Sequence, residues 1–179
     1  MSLPLSRFTG TVFRGHHPMW AYDPLSGEGA ARFGGRFNPL GVKALYTALR
    51  PETAWAEAQQ GFAFKAQPLT LCAYDVDMAD VLDLADPDVR QACNIADEDL
   101  SCGWEDLARR RLEPPSWTLA TRLRAQGVAA IIVPSFAPGA SARDRNMVFF
   151  DWSGELPHRL LVIDDQNRLP KNPSSWILQ

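Results

Sequence analysis

Short apolar and β-branched runs alternate along this chain with modest helical segments and long loops rich in glycine or proline. Residues 11–14 predict a first strand and residues 44–47 a second. Pro51 and Glu52 suit the first turn of a helix that carries Thr53 through Gln60 and ends at Gly61. Residues 69–76 alternate as a strand should, and 81–84 predict another strand before the turn at Asp86-Pro87-Asp88. Short helices are expected over 88–96 and 104–112. Ser116 is placed to cap a helix that turns Leu119 and Leu123 to the core, with Trp117 a further candidate and Gly127 ending it. The apolar stretch 128–133 predicts a buried strand that delivers Pro134 and Ser135 at its end. Strands over 145–150 and 159–163 complete the set. The pattern is that of an α+β protein, a mixed and mainly antiparallel β core flanked by short helices. Between the first two strands runs a loop from Gly15 to Gly41, a length that is usually functional or mobile. The polar, proline-containing tail 168–179 has Trp176 as a candidate anchor.

Composition narrows the reading. At 179 residues and 46% hydrophobic content the chain is expected to form a single domain, 1–179, burying roughly two thirds of its unfolded surface. A net charge of −3 and a pI near 5.6 argue against direct nucleic-acid binding, which needs clustered Lys and Arg to neutralise phosphates. No apolar run approaches the roughly 20 residues that cross a bilayer, and residues 1–7 lack the regions of a signal peptide. A cytoplasmic protein without membrane contact is therefore expected. Cys72, Cys93 and Cys102 are odd in number and fit no metal spacing, and His16, His17 and His158 form no ligand pair. Neither disulfides nor a metal are expected, and the His16-His17 pair reads as a solvated loop feature.

The chemistry concentrates in Gly34-Gly35-Arg36-Phe37-Asn38-Pro39-Leu40-Gly41, followed by Tyr46 and Glu57. Two glycines allow close backbone approach, and an arginine offers a planar fork for phosphate or carboxylate. Arg14 and Arg36 bracket the long loop and together suit a diphosphate, although either alone reads equally as a surface or ion-paired arginine. Tyr46 is as compatible with a core position as with a site. Glu57 has Ala54, Trp55, Ala56 and Ala58 around it in the predicted helix, a setting in which a carboxylate is costly unless paired or solvated in a cleft. Ser135 lies in no G-x-S-x-G nucleophile elbow and otherwise simply ends its strand. Gly27-Glu28-Gly29 imitates a dinucleotide fingerprint, but Arg32 stands where the third glycine belongs and no strand-to-helix unit frames it.

Taken together, Arg14 on the first strand, Gly-Gly-Arg36-Phe-Asn-Pro-x-Gly, Ala-Leu-Tyr46-Thr, Ala-x-Ala-Glu57, Ile-Ile-Val-Pro-Ser135 and Arg-x-Asn146-Met-Val-x-Phe resemble the RES domain family over residues 12–152, leaving a C-terminal strand and tail over 159–179. The resemblance implies an ADP-ribosyltransferase-like fold and a bacterial type II toxin with NAD as substrate. It also implies a cognate antitoxin with an Xre-like helix-turn-helix region. Glu57, Arg36, Tyr46 and Ser135 then become the catalytic candidates. Arg14, Arg36, Tyr46, Ser135 and Asn146 become the NAD-binding ones. Members split NAD with water or phosphate, or pass ADP-ribose to a protein, and the motifs leave that acceptor open. Phe37 replaces a tryptophan of the pattern and is expected to keep a stacking surface. The segment 136–145 is longer than the pattern and ends in Arg143-Asp144-Arg145.

The bond between nicotinamide and ribose breaks with positive charge developing on the sugar, so a fixed negative group must stand beside it. Glu57 is the carboxylate placed for that role. Two other readings stay open: an ADP-ribosyltransferase acting on a specific protein, and a non-catalytic nucleotide-binding module in which Glu57 merely pairs with an arginine.

Overall fold

The computed structural model describes residues 2–59 and 67–174. The expected helix end at Gly61 and the tail anchor Trp176 lie outside the described residues.

Six strands form the sheet: β1 (Ser6–His16), β2 (Leu45–Ala48), β3 (Thr70–Asp83), β4 (Ala130–Pro134), β5 (Arg145–Phe149) and β6 (His158–Val162). Their order is β1-β2-β5-β4-β3-β6, with β1 also paired to β3. Five strands therefore close on themselves, and β6 extends from β3. Of these pairings β3–β4 is parallel and the others antiparallel. A parallel pair needs a long crossover. Here it contains the helices α3 (Pro87–Ala92), α4 (Asp97–Ser101), α5 (Trp104–Arg109) and α6 (Pro115–Ala125). The other helices are α1 (Glu28–Phe33) and α2 (Pro51–Gln59). The expected mixed, mainly antiparallel α+β architecture is thus what the chain adopts.

Successive strand residues point to opposite faces, which divides the core in two. Val133, Ile131 and Val148 join Phe37, Leu82, Leu119 and Leu123 on the face covered by α4 and α6. Met147 and Phe149 join Val12, Leu45, Tyr74, Val76, Met78 and Leu160 on the other.

Several elements differ from the sequence-based expectation for identifiable reasons. Residues 69–76 and 81–84 belong to one strand of 14 residues, β3. Asp80 takes a positive φ of 57° within it, and there the strand exchanges neighbours: 74–78 pair with β6 and 81–83 with β4. That local break interrupts the alternation, so the single strand looks like two. The loop after Gly15 is shorter than expected, because β1 runs to His16 and the stretch contains a 3-10 turn at Pro18–Trp20 and the helix α1. His16 is consequently buried at 9% exposure rather than solvated. The helix expected over 88–96 stops at Ala92, ahead of Asn94 with φ 52°. Ser116 does not cap α6, whose N-cap is Pro114; its hydroxyl bonds elsewhere, as described below.

His158, at the start of β6, ties the break in β3 to the β5 end. Its Nε2 lies 3.1 Å from Asp80 and its Nδ1 2.8 Å from Asp151. Burial acts to lower its pKa, but the hydrogen bonds it donates to Asp80 and Asp151 outweigh this and leave it raised above 6.5. His16 is the opposite case: burial first, then the charge of Arg14, push it down to about 4.

The two histidines give stability opposite pH slopes. His158 contributes fully below about pH 6.5, and the contribution is lost as pH rises through its raised folded value. His16, neutral in the fold, contributes above about pH 6.5, and the contribution is lost as pH falls toward about 4. Urea midpoints from pH 4 to 9 should show the difference between wild type and His158→Gln shrinking toward alkali, and that between wild type and His16→Asn shrinking toward acid.

Candidate active site

α2 opens with proline at its first position, where the missing N–H costs nothing, and continues through Ala54, Ala56 and Ala58. The alanines let it sit close on β1. A Cβ added to Gly15 would stand 3.0 Å from Ala58 Cβ and 3.3 Å from the Ala54 carbonyl. Glu57 follows on the same helix and meets the β4–β5 hairpin. In that hairpin Val133 pairs with Asn146 and Pro134 with Arg145, which leaves Ser135 and Asn146 close together at the loop end.

Three donors converge on one oxygen of Glu57. Ser135 Oγ donates to Oε1 at 2.6 Å, Asn146 Nδ2 at 2.5 Å and the Phe136 backbone N–H at 3.2 Å. Ser135 Oγ in turn accepts the Ala137 N–H at 3.2 Å. Bonds to an ionised acceptor are about twice as strong as neutral ones, so the arrangement holds a carboxylate charge in place. It also constrains Asn146. Its amide faces Glu57 with the nitrogen, and its Oδ1 is buried without a hydrogen-bond partner, a cost of about 1–3 kcal/mol.

Arg36 stands on a tight turn. Gly34 has φ 73°, and Gly35 and Asn38 exchange backbone bonds at 3.0 and 3.3 Å. The Asn38 side chain is fully buried and donates to the Ala30, Pro39 and Val42 carbonyls. Tyr46 supports the turn from beneath: its hydroxyl donates to Asn38 Oδ1 at 2.7 Å and accepts the Phe37 N–H at 2.9 Å. Burial raises the Tyr46 pKa, which keeps that hydroxyl protonated as a donor. From α6, Trp117 Nε1 donates to the Gly35 carbonyl at 2.7 Å and Ser116 Oγ to the Arg36 carbonyl at 2.5 Å.

The Arg36 guanidinium uses Nη1 on the Cys102 carbonyl at 2.7 Å and the Leu100 carbonyl at 3.2 Å, at the end of α4. Its carbon lies 4.1 Å from the Phe136 ring centroid, a cation–π distance. Phe136 thus gives its N–H to Glu57 and its ring to Arg36, and the two charged groups flank one residue. Burial draws the Arg36 pKa below its ordinary value, while Cys102 and Glu57 pull it back up. A guanidinium remains cationic in such a setting.

The structure therefore brings Glu57, Ser135 and Asn146 into direct contact, with Arg36 one residue away and Tyr46 bracing its turn. Arg14 is placed differently. Opposed strand residues share a face, so Arg14 projects with Val12, Cys72 and Tyr74, away from the face on which Gly15 meets α2. Its Nη1 donates to the Pro24 and Ser26 carbonyls at 3.1 and 3.4 Å, and Tyr74 also donates to Pro24. Phe37 does not offer a ligand face: it is buried in the core at 1% exposure, its ring tilted 49° against Phe136. An apolar groove of about 420 Å³ lies on the Trp117 side of the turn, lined by Phe33, Leu40, Trp104 and Leu112. Among the described residues no cluster of His, Cys, Asp or Glu could hold a metal, and no helix is long and apolar enough to cross a membrane.

Phe136, Asn38, Trp117 and Ser116 support the site without a sequence motif that marks them for it. Asn38 sits inside the glycine-arginine motif, and its local signal was an amide in a turn. The roles of Phe136, Ser116 and Trp117 arise only from contacts some eighty residues apart in sequence.

Comparison with known proteins agrees with these motifs. The RES domain family profile matches residues 11–172, and the chain belongs to that family. It is 39% identical over 87 residues to the NAD(+) phosphorylase MbcT of Mycobacterium tuberculosis strain ATCC 25618 / H37Rv, and equally to that of Mycobacterium bovis. The match covers 44% of this chain and 47% of each relative, so the chain spans about half the length of the curated relatives it matches. The crystal structure of the M. tuberculosis MbcT-MbcA toxin-antitoxin complex shares the fold, with a TM-score of 0.64 and 24% identity over 89% of this chain and 84% of that one.

The turn under Arg36 has no room for a side chain at Gly35. An added Cβ would lie 2.5 Å from the Tyr46 hydroxyl and 2.6 Å from Asn38 Oδ1. Gly35→Ala is expected to lower stability by about 1–3 kcal/mol, the usual cost of overpacking, read as a fall in the urea midpoint. An unchanged midpoint would mean that the Tyr46–Asn38 support is dispensable.

Proposed function

We propose that the protein is an NAD-consuming toxin of a type II toxin–antitoxin system, which cleaves the nicotinamide–ribose bond and transfers ADP-ribose to an acceptor. The observation that carries the reading is the Glu57 carboxylate, held by Ser135, Asn146 and the Phe136 N–H and flanked by Arg36. Membership in the RES family and the naming of its mycobacterial relatives as NAD(+) phosphorylases support the substrate and favour phosphate as acceptor. The ADP-ribosyltransferase-like character of the fold is part of the same proposal.

In this mechanism the C1′–N bond breaks and its electron pair leaves with neutral nicotinamide. The ribose becomes oxocarbenium-like, and the Glu57 charge opposes that developing positive charge, an electrostatic contribution of about 3–4 kcal/mol in a preorganised site. A phosphate oxygen then attacks C1′ with its own electron pair to give ADP-ribose 1″-phosphate; with water as acceptor, a proton is released as well. Ser135 and Asn146 fix the carboxylate and hydrogen-bond the substrate. Arg36 grips the diphosphate through the guanidinium N–H groups other than Nη1. Tyr46 acts on ribose or nicotinamide through the turn it braces. Arg14, on the other face of β1, serves the site through the loop at 24–26 that it bonds. A cognate antitoxin with an Xre-like helix-turn-helix region silences the enzyme in the cytoplasm and makes any operator contact, since an acidic chain of net charge −3 is poorly suited to DNA.

Purified protein should consume NAD, with adenine-labelled product appearing as ADP-ribose phosphate in phosphate buffer. Label retained on protein would identify the protein-modifying reading, and no turnover would favour the binding module. Glu57→Gln should reduce kcat on the order of a hundredfold or more with the fold intact; near-normal turnover would remove Glu57 from the chemistry. Arg36→Lys should weaken apparent NAD affinity by about tenfold or more, because a point charge does not replace a bidentate fork. Unchanged affinity would move Arg36 out of the substrate site.

A further inference from the structure

Thr53 and Glu57 stand four residues apart on α2 and so share one face of it. The loop joining β4 to β5 engages both, one at each of its ends. At its start Ser135 and Phe136 donate to Glu57. At its close Asp144 Oδ1 accepts the Thr53 hydroxyl at 2.6 Å, and Thr53 is buried at 2% exposure.

Asp144 is itself held from several sides. Its Oδ2 accepts the N–H and hydroxyl of Ser141 at 2.9 and 2.7 Å, and its backbone carbonyl accepts the Ser135 N–H at 2.8 Å. The Arg50 guanidinium lies 3.6 Å from Oδ1. The Thr53 bond first, then those from Ser141, hold the Asp144 carboxyl down to about 2, so it is ionised across any assay range. One residue thereby links α2, the loop interior and the backbone of Ser135. Asp144 is the middle residue of Arg143-Asp144-Arg145, the close of the loop that is longer than the family pattern.

We propose that Thr53 and Asp144 are positioning residues, whose hydrogen bond sets the rotation of α2 about its axis and closes the β4–β5 loop against it, so that Glu57 meets Ser135, Phe136 and Asn146 in reactive geometry. The inference rests on the NAD-cleaving reading of Glu57. The physical need follows from α2 itself. It has nine residues, packs through alanines against Gly15, and is tied at its last turn by Gln59 to the Gln67 backbone. Small side chains against the sheet let such a helix roll, and the two polar pins on one face, at Thr53 and Glu57, fix its rotation together. Misplacing a reacting group by about 1 Å can cost on the order of a hundredfold in rate.

The test compares the unmutated protein with Thr53→Val, which keeps the side-chain shape and removes the hydroxyl, with Thr53→Ser, which keeps the hydroxyl, with Asp144→Ala, and with the Thr53→Val/Asp144→Ala double variant. Steady-state NAD turnover gives kcat and KM, and amide hydrogen exchange reports on residues 51–59. Thr53→Val and Asp144→Ala should each lower kcat by about ten- to a hundredfold with KM within about twofold. The double variant should be no worse than the poorer single one, as expected for two halves of one interaction. Thr53→Ser should retain most of the activity, and exchange over 51–59 should rise in Thr53→Val, Asp144→Ala and the double variant but not in Thr53→Ser.

Unchanged kcat in folded Thr53→Val, additive losses, or a rise in KM alone would overturn the proposal. Should Asp144→Ala fail to fold, Thr53→Val against Thr53→Ser decides the matter. If the unmutated protein turns over no NAD, the functional reading fails and with it the reactive geometry invoked here. The exchange data then decide the mechanical part separately: faster exchange over 51–59 upholds the pin, and unchanged exchange overturns it too.

Discussion

The site depends on one constraint: a carboxylate carried by an alanine-rich helix must find its hydrogen bonds from a sheet that does not belong to it. Glu57 finds them at the loop end of the β4–β5 hairpin, where a hydroxyl, an amide and a backbone N–H arrive from Ser135, Asn146 and Phe136. The pairing of Val133 with Asn146 sets that convergence. A shift of one residue would turn Asn146 to the other face of the sheet, leaving Glu57 with fewer donors and a larger desolvation cost. The register of two strands is thereby coupled to the placement of a charge on a third element. The buried, unpartnered Asn146 Oδ1 shows which group yields in that arrangement.

Arg36 is fixed by different means to a comparable degree. Its backbone turn is supported from below by Tyr46 and Asn38 and from the side by Ser116 and Trp117, while its guanidinium is placed by helix-end carbonyls and an aromatic face. Neither charged group is left to choose its own rotamer. Polar groups oriented in advance require little reorganisation when charge develops, which is where electrostatic catalysis gains most. Phe136 has a double part, since the same residue bonds one charged group and stacks on the other.

Much of this was legible from the residues. The α+β class, the helix carrying Glu57, the apolar strand that ends in Pro134 and Ser135, and the strand bearing Asn146 all follow from local pattern, because each is a short element with consistent periodicity and punctuation. What local pattern could not give is whatever depends on a distant partner. β3 looked like two strands because Asp80 breaks the alternation at the point where β6 gives way to β4. Ser116 looked like a helix cap because a serine beside a proline has that local meaning, whereas its partner is the Arg36 carbonyl, 80 residues away in sequence. His16 follows the short pattern of residues 11–14 and so has the local look of a loop residue, whereas the longer pairing of β1 with β3 buries it. For Arg14 the two-arginine reading placed it with Arg36; alternation along β1 sends its side chain to the face opposite α2, with Cys72 and Tyr74.

The sign of the chain's charge bears on how such a site would recognise an anion such as NAD. With a net charge of −3, the protein as a whole does not attract a diphosphate from a distance, and at physiological ionic strength charges more than about 8 Å apart are largely screened. Selectivity then has to come from contact. Arg36 is suited to that, being half-buried, already stripped of much of its water, and held over an aromatic ring so that its remaining N–H groups keep one plane. A half-buried cation gains more from a phosphate than an exposed one, since the low local dielectric strengthens the pair and the desolvation cost is already met by the fold. It also needs the phosphate in a narrower range of positions. On the proposed reading, the rigidity of the 34–38 turn and the fixed setting of Glu57 are two parts of one requirement: the cation for the diphosphate and the carboxylate for the ribose must keep a fixed separation.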